Sequence, residues 1–232
     1  MREQVNGGTL VIKFGGTSVG GGAAFSRAAS IAAEASRGRP VAVVVSAMSG
    51  VTNLLLGHAA GVVDPGGEAA EELREALAER HLRAIREAVA PERRLRVEGR
   101  VLGLLDELVE TIKRPSEGVK ARRAEIAVFG ERLSAEVLAG AIAMAGAPAE
   151  VVAADPIATD RRFDEAEVDV DETERRCARH IAPVLDGGGV AVVPGFVGRA
   201  PDGSSTTLGR GGPDLSATVI GRARGSRAVW IM

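Results

Sequence analysis

A chain of 232 residues, 45% hydrophobic and 26% charged, is long enough for one large α/β domain with a full core. Its formal net charge of −2, 3% aromatic content and lack of tyrosine exclude a global basic field and a base-stacking platform, so no nucleic-acid partner is expected. No apolar run reaches the roughly 18 residues of a membrane span, so no membrane partner is expected either.

Residues 1–8 are polar, mixed in charge and unlike a secretory signal, and they read as a short disordered extension. Thr9 to Phe14 reads as a first strand that runs into Gly15, Gly16, Thr17 and Ser18. A helix is expected from about Ala23 to Arg37, with Phe25, Ala28, Ile31 and Ala32 on one face. The β-branched run Val41 to Val45 predicts a strand buried on both faces of a parallel sheet. From Gly50 to about Arg114 the pattern is mostly helical, and the mixed charges of Glu68 to Arg86 mark a solvated face.

A further helix is expected from about Arg122 to Met144, then a link and strand within Gly146 to Ala153. Asp155 to Val170 is polar and irregular. One helix over about Asp171 to Leu185 leads through Gly187–Gly189 to a strand at Val190 to Pro194. Asp202-Gly203 predicts a hairpin turn between Phe196-Val197 and Thr206 to Leu208. A helix over about Asp214 to Ala223 and a strand from Ala228 complete the pattern. The chain stops inside the apolar run Val229 to Met232 and reads as cut there. This alternation predicts an α/β fold: a three-layer αβα sandwich with a largely parallel sheet.

The single cysteine, Cys177, excludes an intrachain disulfide and a cysteine zinc cage, and suits a reducing, cytoplasmic setting. His58, His81 and His180 lack metal spacing and read as surface or partly buried side chains. No metal-ligating set is expected.

Four loops carry candidate chemistry. Lys13 with Gly15 and Gly16 combines a compact cation with backbone that can approach an anion closely. The lysine precedes the glycines, so this is neither a Walker loop nor a dinucleotide fingerprint; the alternative is a tight turn with a snorkelling lysine. Ser46 to Asn53 offers hydroxyls where a strand meets a helix, for an anion or for plain capping. Glu131, between the apolar Phe129 and Leu133, must find a partner if buried: a substrate ammonium or a structural arginine. In Gly209 to Asp214, Arg210 can clamp a carboxylate, and Asp214 either caps the next helix or orients cations.

Lys13-Phe14-Gly15-Gly16-Thr17-Ser18-Val19, Ser46 to Asn53, Gly130 to Ser134, Pro194-Gly195-Phe196 and Gly209 to Ala217 together resemble, in order and spacing, the catalytic domain of aspartate kinases. The resemblance runs from about Thr9 to the last residue. It implies the amino-acid-kinase fold and ATP-dependent phosphorylation of the L-aspartate β-carboxylate, the first step toward lysine, threonine and methionine. ATP and Mg²⁺ would be required, with L-aspartate and MgATP as partners in a homo-oligomer. Lys13 would stabilise the transferring phosphoryl. Gly15, Gly16 and Ser18, with Gly211 and Gly212, would line the phosphate site. Ser46, Thr52, Glu131 and Arg210 would hold aspartate, Phe196 would wall the pocket, and Asp214 would organise Lys13.

Two departures stand out. Pro213 occupies a position that is usually serine in the family. The family also continues with a T-D-V-D-G-like nucleotide loop, a D-P motif and ACT domains, so residues 9–232 would be a C-terminally incomplete catalytic domain without an ACT domain, weak or inactive alone. Two alternatives remain: another amino-acid kinase, such as a glutamate 5-kinase or carbamate kinase, or a non-catalytic ligand-binding subunit.

Overall fold

The computed structural model describes residues 8–59, 67–152, 155–209 and 211–232, so nearly all of the expected N-terminal extension lies outside the described residues. Five strands form one parallel sheet: β1 (Leu10–Phe14), β2 (Val41–Val45), β3 (Ala149–Val151), β4 (Val190–Pro194) and, last in the chain, β7 (Ala228–Ile231). Their order is β3-β4-β2-β1-β7. A separate antiparallel hairpin joins β5 (Val197–Arg199) to β6 (Ser205–Thr207).

Strand alternation builds the layers. Leu10, Ile12, Phe14, Val41, Val43, Val45, Val190 and Val192 face one core; Val11, Ala42, Val44, Ala191 and Val193 face the other. The first core is closed by α1 (Gly22–Ser36), α2 (Val51–Ala59), α3 (Glu68–Ala88), α4 (Pro91–Lys113) and α5 (Val119–Met144). The second is closed by α6 (Val170–His180), α7 (Ala182–Asp186) and α8 (Gly212–Ala223). This is the expected αβα sandwich. α5, 26 residues long, is buried on most of its circumference because helices and sheet enclose it. No helix among the described residues is long and apolar enough to cross a membrane.

Three details differ from the sequence reading. The helix expected over Asp171 to Leu185 is two, broken at Ile181. Pro183 lacks the N–H that would continue the ladder, and its ring crowds the preceding turn. The first of the two starts where the Asp169 carboxylate accepts the Glu172 N–H at 2.9 Å, an N-cap. The charged helix α3 also hides a stripe of Leu73, Leu77, Ala84 and Ile85. Within it His81 is fully buried, unlike the surface or partly buried site expected. Its Nδ1 donates to the Leu77 carbonyl at 2.7 Å, and burial, reinforced by Arg80, pushes its pKa down to about 4 against that bond.

The register places Phe14 beside Val45, and Val45 beside Pro194, at the carboxyl edge of the sheet. The Ser46 N–H continues the ladder to the Phe14 carbonyl, and the Gly195 N–H to that of Val45. The candidate loops thus leave adjacent strands side by side, where open α/β sheets bind ligands.

Candidate active site

Lys13 lies one residue before the end of β1, and its side chain is only 13% exposed. Nζ sits 2.7 Å from Oδ1 of Asp214, in the first turn of α8. No side chain caps α8, so capping does not explain Asp214. Pro213 also occupies this first turn, where an N–H would have no helical partner, so the helix loses no bond.

The turn after β1 is a 3₁₀ segment, Gly16–Val19. A Cβ on Gly16 would stand 3.0 Å from the Ala47 carbonyl, so this glycine permits the close approach of two carboxyl-edge loops. The neighbouring amides are differently engaged. The Gly15 N–H donates to the Met232 carbonyl at 2.8 Å, and the Ser18 N–H to the Gly15 carbonyl at 2.9 Å. Ser18 lines a separate recess with Thr17, Ala24 and Arg27.

Glu131 is the most unusual group of the edge. It projects from α5 and is 3% exposed. Its Oε1 accepts the Ala47 N–H at 3.2 Å, while Oε2 has no partner among the described residues. Burial raises its pKa to about 8, against the lowering effect of the Ala47 hydrogen bond. No arginine among the described residues pairs with it. Next to it, a Cβ on Gly130 would stand 2.8 Å from the Ala47 side chain. That close approach lets α5 press against the loop and brings the carboxylate within reach of its amide.

Phe196 forms the opposite wall. It is a non-glycine residue at φ +67°, held by its N–H to Ser216 Oγ at 2.9 Å and by its carbonyl to the Leu208 N–H at 3.0 Å. Ser216 is fully buried and also donates to the Gly212 carbonyl. Sequence reasoning overlooked Ser216; its only signal was a small polar residue one turn into the helix after the glycine loop. Gly212 lies under Phe196, and any Cβ there would strike the ring at 2.5 Å.

Between these walls lies a cleft of about 390 Å³, lined by Gly16, Ser46, Met48, Thr52, Asn53, Glu131, Phe196, Gly211 and Pro213, among others. Lys13, Gly15 and Asp214 gather at the end of β1, since a Cβ on Gly15 would stand 3.4 Å from Lys13 Nζ. Arg210 lies outside the described residues, between Gly209 and Gly211, both of which line the cleft. No group of three or more metal-ligating side chains occurs among the described residues. The carboxyl edge thus carries a buried carboxylate with one oxygen unpartnered among the described residues and, at the end of β1, a partly buried lysine held by a carboxylate.

The Amino acid kinase family profile matches residues 8–232. The chain is 31% identical to Aspartokinase 1, chloroplastic, of Arabidopsis thaliana, over 96% of its own length and 39% of the relative's. Its fold is similar to E. coli aspartokinase III in complex with lysine and aspartate (TM-score 0.82, 28% identity), covering 96% of this chain and 48% of that one. It is also similar to the same enzyme in complex with aspartate and ADP (TM-score 0.81, 29% identity), with the same coverage. The chain thus spans less than half the length of each.

Proposed function

This chain belongs to the amino acid kinase family, and on that premise we propose that its cleft phosphorylates the β-carboxylate of L-aspartate with MgATP, the entry step toward lysine, threonine and methionine. The observation that carries this reading is Glu131: a buried carboxylate with one oxygen unpartnered among the described residues, facing a cleft built for a small polar ligand. A substrate ammonium would satisfy that oxygen and draw Glu131 into its ionised form. Thr52 and Ser46 would add hydroxyl contacts. Arg210 would grip the α-carboxylate, a role taken from the family resemblance.

The chemistry needs no general base. An aspartate side chain, with a reference pKa of about 3.9, is already ionised at neutral pH. One of its oxygens attacks the γ-phosphorus, forming the acyl phosphate C–O–P linkage. The bond from that phosphorus to the β–γ bridging oxygen breaks, and its electrons leave with ADP. Positioning and charge neutralisation remain, as is usual for phosphoryl transfer. Lys13 supplies positive charge to the transferring group, Asp214 holds the ammonium in place, and Gly16 leaves room for the phosphates. Mg²⁺ enters as part of the nucleotide substrate, carried mainly by phosphate oxygens.

Hydroxylamine trapping of the acyl phosphate tests the proposal. With MgATP, hydroxamate should form with L-aspartate and far less with L-glutamate; glutamate preference, or activity with neither, would overturn it for this chain.

A further inference from the structure

We propose that Asp155 is a positioning residue whose carboxylate ties the helix bearing Glu131 to the hairpin bearing Phe196, and so sets the gap between the two walls of the cleft. The proposal rests on the reading of that cleft as the substrate site. Asp155 lies outside the cleft, in the irregular segment before α6, and is 2% exposed. Its Oδ2 takes Arg132 Nη2 at 2.9 Å and also Arg199 Nη2. It is a non-glycine residue at φ +43°, a left-handed conformation that costs energy and persists where surrounding contacts demand it.

The two arginines belong to different walls. Arg132 follows Glu131 on α5, about 100° further round the helix, so one face of this turn meets the cleft and another meets Asp155. Arg199 ends β5, which begins immediately after Phe196. The Leu208 N–H closes the base of this hairpin on the Phe196 carbonyl, and Gly209, the next residue, lines the cleft. A tilt of the hairpin would therefore move Phe196 and the glycine loop together, relative to Glu131.

Each arginine is also secured on its own side. Arg132 lies over the Phe129 ring at 5.8 Å and within 3.8 Å of Glu107. Arg199 donates to the Gly203 carbonyl at 2.8 Å and to Ser205 Oγ at 3.3 Å. Among the described residues, Asp155 is the one carboxylate that both share. The main chain reinforces the hairpin side: the Arg199 N–H bonds the Ile157 carbonyl at 2.9 Å, and the Thr159 N–H bonds the Arg199 carbonyl at 3.2 Å. Removing Asp155 would leave two neighbouring, partly buried guanidinium groups with no shared anion between them, which pushes the walls apart.

The deciding variant is Arg199→Gln, because this side chain is 31% exposed and the Arg132–Asp155 pair survives. Asp155→Asn is the stronger cut, but it can fail to fold. Two readouts are needed: L-aspartate affinity by calorimetry, and amide hydrogen exchange over residues 196–208. In Arg199→Gln, affinity should fall about 10-fold, since small misplacements remote from the chemistry act at this scale or above. Exchange over the hairpin should quicken while β1, β2 and β4 stay protected, and Arg199→Lys should recover part of both. A variant with a lower Tm but wild-type affinity and hairpin exchange would reduce Asp155 to a stabilising role and overturn the proposal. If the wild-type protein binds no aspartate, the substrate reading fails, and the hairpin exchange alone judges the tie.

Discussion

Glu131 and Asp214 are two carboxylates on the same edge of the sheet, and their surroundings separate their duties. Glu131 is 3% exposed, accepts one backbone N–H and leaves an oxygen unpartnered among the described residues. Asp214 is 53% exposed and stands 2.7 Å from Lys13. Burial raises the pKa of the first to about 8 and favours its protonated form. The second is matched to a cation, in a place where water screens the pair. On the proposed function, the first acid would serve recognition and the second would orient Lys13, although both are carboxylates at the carboxyl edge of one sheet.

Substitutions can break this contrast. Lys13→Met removes the cation that the proposed function aims at the transferring group, and kcat should fall about 10²–10³-fold, the scale on which one preorganised electrostatic group acts. Initial rates of hydroxamate formation check it. Glu131→Gln should weaken aspartate binding about 30-fold or more, because one side of a buried charged pair is lost.

The same substitution has an opposite effect on stability. Glu131 keeps its proton in the folded chain up to a pKa of about 8, whereas the unfolded chain loses it near 4.5. The folded state thus binds more protons between these values, and its stability falls as pH rises from about 4.5 to 8. Glu131→Gln should flatten that slope, so its Tm relative to wild type should rise with pH across this window. An unfolding free-energy difference between variant and wild type that is the same at pH 5 and pH 8, from urea melts, would refute the assignment.

Asp214→Asn should be milder. Turnover should drop about 10-fold as Lys13 loses its guide, while stability changes by under about 1 kcal/mol, as for exposed pairs. An Asn variant as inactive as Lys13→Met would mean that Asp214 does more than orient. Pro213→Ser should act least. A regained hydroxyl contact is worth about 0.5–1.5 kcal/mol, so the KM for aspartate should improve by a small factor, with kcat unchanged.

Much of this was legible along the chain, because the fold expresses it locally. The apolar runs at Leu10, Val41 and Val190 became the central strands, and Asp202-Gly203 the hairpin turn. Glu131 could be singled out because a charge between Phe129 and Leu133 contradicts the helical pattern around it. Contacts between distant segments were not legible. Arg132, Asp155 and Arg199 meet only after α5 and the hairpin have packed, and each looks like a solvated charge in its own neighbourhood. His81 was hidden likewise, inside a helix whose charges mask its buried stripe. Ser18 belongs to the most distinctive string of the sequence, and the 3₁₀ turn places it in a recess with Thr17, Ala24 and Arg27, a placement the string itself does not show.

The central claim is that Glu131 exchanges a proton for a substrate ammonium. Calorimetric titration of L-aspartate at pH 7, in two buffers of different ionisation enthalpy, reads that exchange directly. With a pKa of about 8, Glu131 is mostly protonated in the free protein. Binding should therefore release close to one proton in the wild type and none in Glu131→Gln. A binding enthalpy independent of buffer, or the same proton release in both proteins, would contradict the account.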